Sequence, residues 1–328
     1  MKDLSVGILG TGKYVPDTRL TNAQLEQMVE TNDEWIVTMT GIKERRIVSP
    51  GQATSDLAYE ASVRAIAAAG LTVEDIDLII VATITPDMFF PSTACLLQEK
   101  LGAKRAAAFD LSAACSGFIY GIANATGFIK MGMYKHVLVV GAESLSRITD
   151  YTDRNTCILF GDGAGAVVVG EVPEGRGFKS FELGADGSGG ELLRICGGGS
   201  KLPSSEQSVA ERRHFIEMNG REVFKFAVRI MGNAAEEALT KAGLGKEDID
   251  LLIPHQANIR IIQSALDRLN LTREKCMVNI DKYGNMSAAS IPVALAEAVE
   301  EGRVKEGDCL VFVGFGGGLT WGASAMIW

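Results

Sequence analysis

Histidine is scarce in this sequence. Only His136, His214 and His255 occur in 328 residues, so any imidazole chemistry has three places to live. Cysteines stand at 95, 115, 157, 196, 276 and 309 with no CxxC pair, so zinc ribbons and dithiol redox motifs lack their ligands. No apolar run approaches the about 20 residues of a bilayer span, and no membrane role is expected. The opening MKDLSVGILG has no small-residue cleavage site, so an export signal is not expected and the thiols should be reduced in a cytoplasmic protein. Basic residues are also outnumbered: 32 Lys and Arg face 41 Asp and Glu, a net charge of −9. Nucleic acid and anionic membranes need clustered cations, so neither is an expected partner. What is present is a core: 47% hydrophobic and 22% charged residues suit a folded globular chain rather than a disordered one.

The chain also repeats itself. GLTVEDIDLII at 70–80 returns as GLGKEDIDLLI at 243–253, and HVLVVG at 136–141 meets CLVFVG at 309–314, both 173 residues apart. Ser112-Ala113-Ala114 meets Ser287-Ala288-Ala289 at 175, which puts Cys115 opposite Ser290, and GAGAVVV at 163–169 meets GASAMIW at 322–328 at 159. Each copy reads helix, acidic turn, apolar strand, small-residue turn, helix, strand, strand. Buried strands alternating with helices predict an α/β layered fold of two equivalent halves. The halves are residues 1–172 and 215–328, joined by connecting strands and a Gly- and Ser-rich loop over 173–214.

Two glycine-rich stretches imitate phosphate loops. GILGTGKY at 7–14 has Tyr14 where a magnesium-binding Ser or Thr should stand, and Pro16 disfavours the following helix. A tight turn after an edge strand is the simpler reading. Gly314-Phe315-Gly316-Gly317-Gly318 follows a strand without a Lys, so close backbone approach to a ligand is expected instead.

Three residues carry chemistry. Cys115 falls where a strand-like run ends in small residues and a helix-like run begins at Phe118, and a helix N-terminus favours the nucleophilic thiolate. A packed core cysteine is the structural alternative. His255 follows the strand 250–253, at the end where open α/β sheets bind ligands. Asn285 precedes the second small-residue turn. The duplication predicts that Cys115, His255 and Asn285 share one cleft.

At these residues the sequence resembles the β-ketoacyl-[acyl-carrier-protein] synthase III family of thiolase-like condensing enzymes. The resemblance runs through DEWIVTMTGIKERRI (33–47), FPSTAC (90–95), the Cys115 turn, GDGAGAVVVG (161–170), NGREVFKFAV (219–228), PHQANIRI (254–261), YGNMSAAS (283–290) and GFGGGLTWGA (314–323). It implies a thiolase-like five-layered α-β-α-β-α fold built from two duplicated halves, a homodimer, and no metal or redox cofactor. It implies Cys115 as the acylated nucleophile, His255 and Asn285 as donors to the malonyl thioester carbonyl, and the N–H groups of Cys115 and Gly317 as the acyl oxyanion hole. For the coenzyme A thioester it implies Trp35 and Arg154 flanking the adenine, with Thr40, Gly220, Phe224, Ala257 and Asn258 along the pantetheine route. Phe90 would reach the partner subunit's acyl pocket, and Arg221, Lys225, Arg260 and Arg268 would meet an acidic acyl carrier protein.

The chain departs from the family where Met39 replaces an Arg and Met286 replaces a Thr. The first removes a cation near the coenzyme phosphates, and the second could alter the Asn285 turn or the pocket. The loop 196–215 is longer than usual and could cover the tunnel mouth. The leading expectation is decarboxylative condensation of a short acyl-coenzyme A with malonyl-acyl carrier protein. Alternatives are a starter-unit condensing enzyme of a secondary-metabolite pathway, a Cys-His-Asn thioester hydrolase, and a non-catalytic acyl-binding paralogue. A hydroxymethylglutaryl-coenzyme A synthase is disfavoured by the lack of a glutamate base near the cysteine.

Overall fold

Buried strands and the helices that cover them organise the computed structural model, which describes residues 4–328. The main elements are β1 (Val6–Tyr14), α1 (Asp33–Thr40), α2 (Thr54–Ala68), β2 (Leu78–Ala82), α3 (Thr93–Leu101), β3 (Ala107–Leu111), α4 (Gly117–Lys130), β4 (Val137–Ser144), β5 (Asp162–Glu171) and β6 (Gly177–Ala185). They continue with α5 (Gly220–Ala242), β7 (Leu251–Pro254), α6 (Ile259–Leu269), α7 (Ser290–Glu300), β8 (Cys309–Gly316) and β9 (Thr320–Ile327). One sheet runs β1-β5-β4-β2-β3 and the other β6-β9-β8-β7. In both, the pairs toward β1 or β6 are antiparallel and the pairing at the opposite end of the sheet is parallel. An isolated parallel bridge, Leu252 to Cys276, stands beside β7 where β3 stands beside β2.

The repeated EDID motif has a physical reason. Asp75 and Asp248 each accept a backbone N–H three residues upstream, from Thr72 at 2.8 Å and Gly245 at 2.7 Å, closing a short helical turn. Asp77 and Asp250 each reach across to the start of the neighbouring strand, accepting from His136 N at 3.1 Å and Cys309 N at 2.9 Å. One motif thus turns the chain and sets strand register in each half.

Burial defines five layers. Leu57, Ala61 and Ile66 of α2 and Leu97 of α3 cover the outer face of the first sheet. Phe118 and Ile122 of α4 with Ile291 and Leu295 of α7 fill the space between sheets, against Ile80, Val139, Ile253 and Phe312. Met231 and Leu239 of α5 with Ile262 and Leu266 of α6 cover the second sheet. The thiolase-like α-β-α-β-α arrangement is therefore present. The strand β6, inside the segment 173–214, is hydrogen-bonded into the second sheet and holds the place that β1 holds in the first.

Three sequence expectations need correction. GILGTGKY is the body of β1, and its glycines admit α2. A Cβ on Gly10 would fall 2.3 Å from Ala69 N, and one on Gly12 would fall 2.3 Å from Ala61 O. The small-residue turns correspond at 173 residues rather than 175: Ala114 and Ser287 both have φ 46, and α4 and α7 begin at Gly117 and Ser290. Cys115 therefore lies opposite Ala288, not Ser290. The last strands correspond at 157 rather than 159, because Gly141 pairs with Gly165 and Gly314 with Gly322. A strand shifted by two keeps every side chain on its face, so alternation cannot report the error.

Candidate active site

Cys115 sits in the turn between β3 and α4, just before the helix, with 7% of its surface exposed. Ala114 before it occupies the left-handed region, which turns the chain sharply. The strand β8 passes so close that a Cβ on Gly316 would lie 2.5 Å from Cys115 N. The glycine run thus admits the nucleophile turn itself, and Gly316 is the residue at that contact. Gly316→Ala should displace the Cys115 N–H. We expect about 10²-fold slower acylation and about 1–3 kcal/mol lower stability. Single-turnover acylation and thermal unfolding would check both.

His255 follows β7 and is fixed by its backbone N–H donating to Val313 O at 2.7 Å. Its ring packs edge-on to Phe315 at 5.7 Å and Nδ1 is buried without a hydrogen-bond partner. A Cβ on Gly314 would lie 3.4 Å from His255 Cβ and 3.6 Å from Cys115 O, so this glycine separates the two residues. Asn285 is clamped by its own backbone: its N–H donates to Leu159 O at 2.9 Å and its carbonyl accepts from Gly161 N at 3.0 Å. Its side-chain Oδ1 accepts from Ser287 N at 2.8 Å. That bond occupies the acceptor and leaves the Nδ2 donor available.

The electrostatics differ from one expectation. Burial pushes the Cys115 thiol up to about 12, with the nearby Ser287 hydroxyl acting in the other direction. Desolvation outweighs the helix terminus, so Cys115 rests as a thiol rather than a thiolate. Burial also holds His255 down at about 3, so its ring is neutral throughout the physiological range.

Cys115, Ser287 and Gly317 line a pocket of about 240 Å³ walled by apolar side chains including Phe160, Leu193 and Ile216. A larger cleft of about 1000 Å³ is lined by Trp35, Thr40, Gly220, Phe224 and Asn258, together with Arg221, Lys225 and Arg260. Ala257 is half-buried beside His255 and is not among its walls. Arg154 lies over the Trp35 ring at 4.8 Å, too close for an aromatic ring between them, so the pair is self-stacked here. Arg268 is held by Glu236 at 2.7 Å and does not line the cleft. Phe90 is 85% exposed and lines neither space.

The two departures resolve differently. Met39 lines the cleft, and the Arg260 guanidinium stands beside its sulfur at 3.9 Å while covering Phe224 at 5.1 Å. A cation is therefore present at that wall, supplied from α6. Met286 is fully buried in a separate small cluster with Tyr283, Ala289 and Val293, away from the pocket. The long loop is a folded flap: Gly197 N donates to Arg213 O at 2.8 Å, and its stems Ile195 and Ile216 wall the nucleophile pocket. Sequence reading missed two buried residues near Cys115, Ser287 and Glu143 of β4, and the second corrects the expectation that no glutamate stands near the cysteine. Ser287 was visible only as a small residue of the turn, whereas Glu143 was a lone carboxylate in an otherwise apolar strand, a signal worth weighing.

Two family models match the chain. 3-Oxoacyl-[acyl-carrier-protein (ACP)] synthase III matches residues 109–187, and the C-terminal model of the same family matches residues 239–328. A β-ketoacyl-[acyl-carrier-protein] synthase III of Desulfitobacterium hafniense is 61% identical over 325 residues, covering 99% of this chain and 98% of that protein. The crystal structure of a β-ketoacyl-[acyl-carrier-protein] synthase III from Thermus thermophilus is 51% identical with a TM-score of 0.92, covering 98% of this chain and 99% of that one. The priming β-ketosynthase of the R1128 polyketide biosynthetic pathway is 36% identical with a TM-score of 0.91, covering 99% and 96%.

Proposed function

The chain belongs to the β-ketoacyl-[acyl-carrier-protein] synthase III family, and from that membership we propose how its own residues divide the condensation between them. It joins a short acyl group, with acetyl-coenzyme A as the expected donor, to malonyl-acyl carrier protein. The products are β-ketoacyl-carrier protein, CO2 and coenzyme A, and the reaction initiates fatty acid synthesis.

The Cys115 sulfur attacks the acyl thioester, with the N–H groups of Cys115 and Gly317 receiving the negative oxygen. Coenzyme A leaves and the acyl group stays on sulfur. The malonyl thioester then takes its place, with His255 Nε2 and Asn285 Nδ2 donating to its carbonyl. The C–C bond to CO2 breaks, its electrons form an enolate, and the enolate carbon attacks the acyl carbonyl and expels the Cys115 sulfur. The observation that carries this reading is the pair of neutral donors beside a buried cysteine. His255 is held neutral by burial, and Asn285 has its amide oxygen tied to Ser287 N. Neutral donors preorganised where charge develops stabilise an enolate without having to give up a proton.

The cleft supports a coenzyme A route past Trp35, Thr40, Gly220, Phe224 and Asn258, with Arg154 moving off Trp35 to admit adenine. Arg221, Lys225 and Arg260 at this cleft suit an acidic carrier protein. The exposed Phe90 suits a homodimer in which it enters the partner's acyl pocket. Six free thiols suit the reducing cytoplasm. A polyketide starter role is the second reading, and the 36% identity to the R1128 enzyme against 61% to the Desulfitobacterium synthase favours the first.

The test is intact-protein and peptide mass spectrometry after incubation with a panel of short acyl-coenzyme A thioesters, chased with malonyl-acyl carrier protein. The expected result is an acyl mass on the Cys115 peptide, discharged only by malonyl-carrier protein to a β-ketoacyl product. Discharge by water alone would make the chain a hydrolase. No adduct from any primer would leave an acyl-binding paralogue.

A further inference from the structure

Glu143 is the penultimate residue of β4, has no exposed surface, and stands near enough to Cys115 to act on its thiol. Its hydrogen-bond partners are all neutral: Thr85 Oγ1 donates at 2.7 Å, Thr83 Oγ1 at 3.2 Å and Ile84 N at 3.2 Å. Three donors and no cation describe a carboxylate kept in place rather than neutralised. Ser287 lies on the turn that also carries Asn285, is 1% exposed, and has a hydroxyl without a hydrogen-bond partner. Ser287 lines the same pocket as Cys115, and its turn packs directly on β4 two residues before Glu143, where a Cβ on Gly141 would lie 2.2 Å from Ala288 O. A buried hydroxyl that bonds nothing at rest, between a thiol and a carboxylate, is placed to act during turnover.

We propose that Glu143 accepts the Cys115 thiol proton during acylation and returns it during condensation, with the Ser287 hydroxyl as the relay. The inference rests on the reading that Cys115 is acylated. As the S–C bond forms, the Sγ proton passes to Ser287 Oγ and the hydroxyl's own proton passes to Glu143. The departing coenzyme A thiolate takes its proton from solvent. When the enolate attack breaks the S–C bond, the thiolate regains its proton from Glu143 by the same path. One solvent proton is consumed per turnover, as the net reaction with CO2 release requires.

The alternatives are weaker. His255 is too poor a base at about 3, whereas burial raises Glu143 to about 7, close to where proton exchange at neutral pH is most effective. Cys115 is the titratable group that faces Glu143. Thr83, Thr85 and Ser287 around it are uncharged, and Asp162 on the adjacent strand is engaged by Val48 N and Ser146 instead.

The experiment is single-turnover acylation by acetyl-coenzyme A, followed by quenched mass spectrometry from about pH 5.5 to 9, on the full chain and on E143Q, E143D and S287A. The wild-type rate should climb to a plateau with its midpoint near the Glu143 value of about 7. In E143Q and S287A the plateau should vanish, the rate should track hydroxide, and acylation at pH 7 should fall about 10²-fold. Coenzyme A affinity should stay unchanged in both. E143D should restore a plateau that Gln cannot, which separates proton transfer from mere packing. A wild-type midpoint and plateau retained in E143Q or S287A overturns the proposal. A wild-type chain that takes no acyl group overturns the functional reading beneath it.

Discussion

Cys115→Ala should leave a chain that takes no acyl mass from any thioester and condenses on the order of 10⁴-fold more slowly or worse. The effect is this large because the two half-reactions meet at one atom. Without Sγ the acyl group has no place to wait while the malonyl thioester enters. Two functions should survive the change. Coenzyme A should bind as before, because the cleft walls of Trp35, Thr40 and Phe224 do not include Cys115. Decarboxylation of malonyl-carrier protein should also persist, because it needs the donors His255 and Asn285 and not the thiol. Loss of decarboxylation together with condensation would show that the donors do not work independently of the nucleophile. The checks are calorimetric titration with coenzyme A and CO2 release from malonyl-carrier protein.

The second large effect falls on the donors. Asn285→Ala should slow malonyl decarboxylation by about 10²–10³-fold, and His255→Ala by a similar factor. The double variant should lose less than the product of the two, because both donors serve one oxygen. Acylation of Cys115 should change far less in all three. Asn285→Asp is the sharper probe. It keeps the acceptor for Ser287 N but turns a carboxylate oxygen toward the developing enolate. It should be worse than Ala at pH 7 and recover as the pH falls and the carboxyl protonates. The wild-type decarboxylation rate should stay flat from about pH 5 to 8. The sign follows from the lowered His255 value of about 3: a base with a depressed pKa stays neutral, and so remains a neutral donor, at every pH above it. A fall in rate on acidification through the ordinary histidine range would show that His255 titrates normally.

Much of this was legible along the chain, for reasons of local chemistry. The repeated EDID motif declared the two halves because each aspartate has a local or next-strand backbone partner, and such partners recur wherever the motif does. The continuous apolar run of β4 declared a strand covered on both faces. Small residues before a helix marked the Cys115 corner. Alignment of the halves was less secure, since shifts of two residues at the small-residue turn and in the last strand cost nothing in pattern.

What the tertiary structure alone decided are matters of distance and desolvation, which no spacing encodes. Cys115 rests as a thiol because burial outweighs the helix terminus. Met286 is harmless to the pocket because the turn points it toward Tyr283 and Val293. The cation missing at Met39 arrives from Arg260, 221 residues later in the chain. Ser287 and Glu143 come together beside the thiol although each belongs to a different half. The sequence by itself determined the layers, the duplication and the place of Cys115 at a strand-to-helix corner. Folding determined the charge state of that cysteine and the company it keeps, because both depend on which groups exclude water from it.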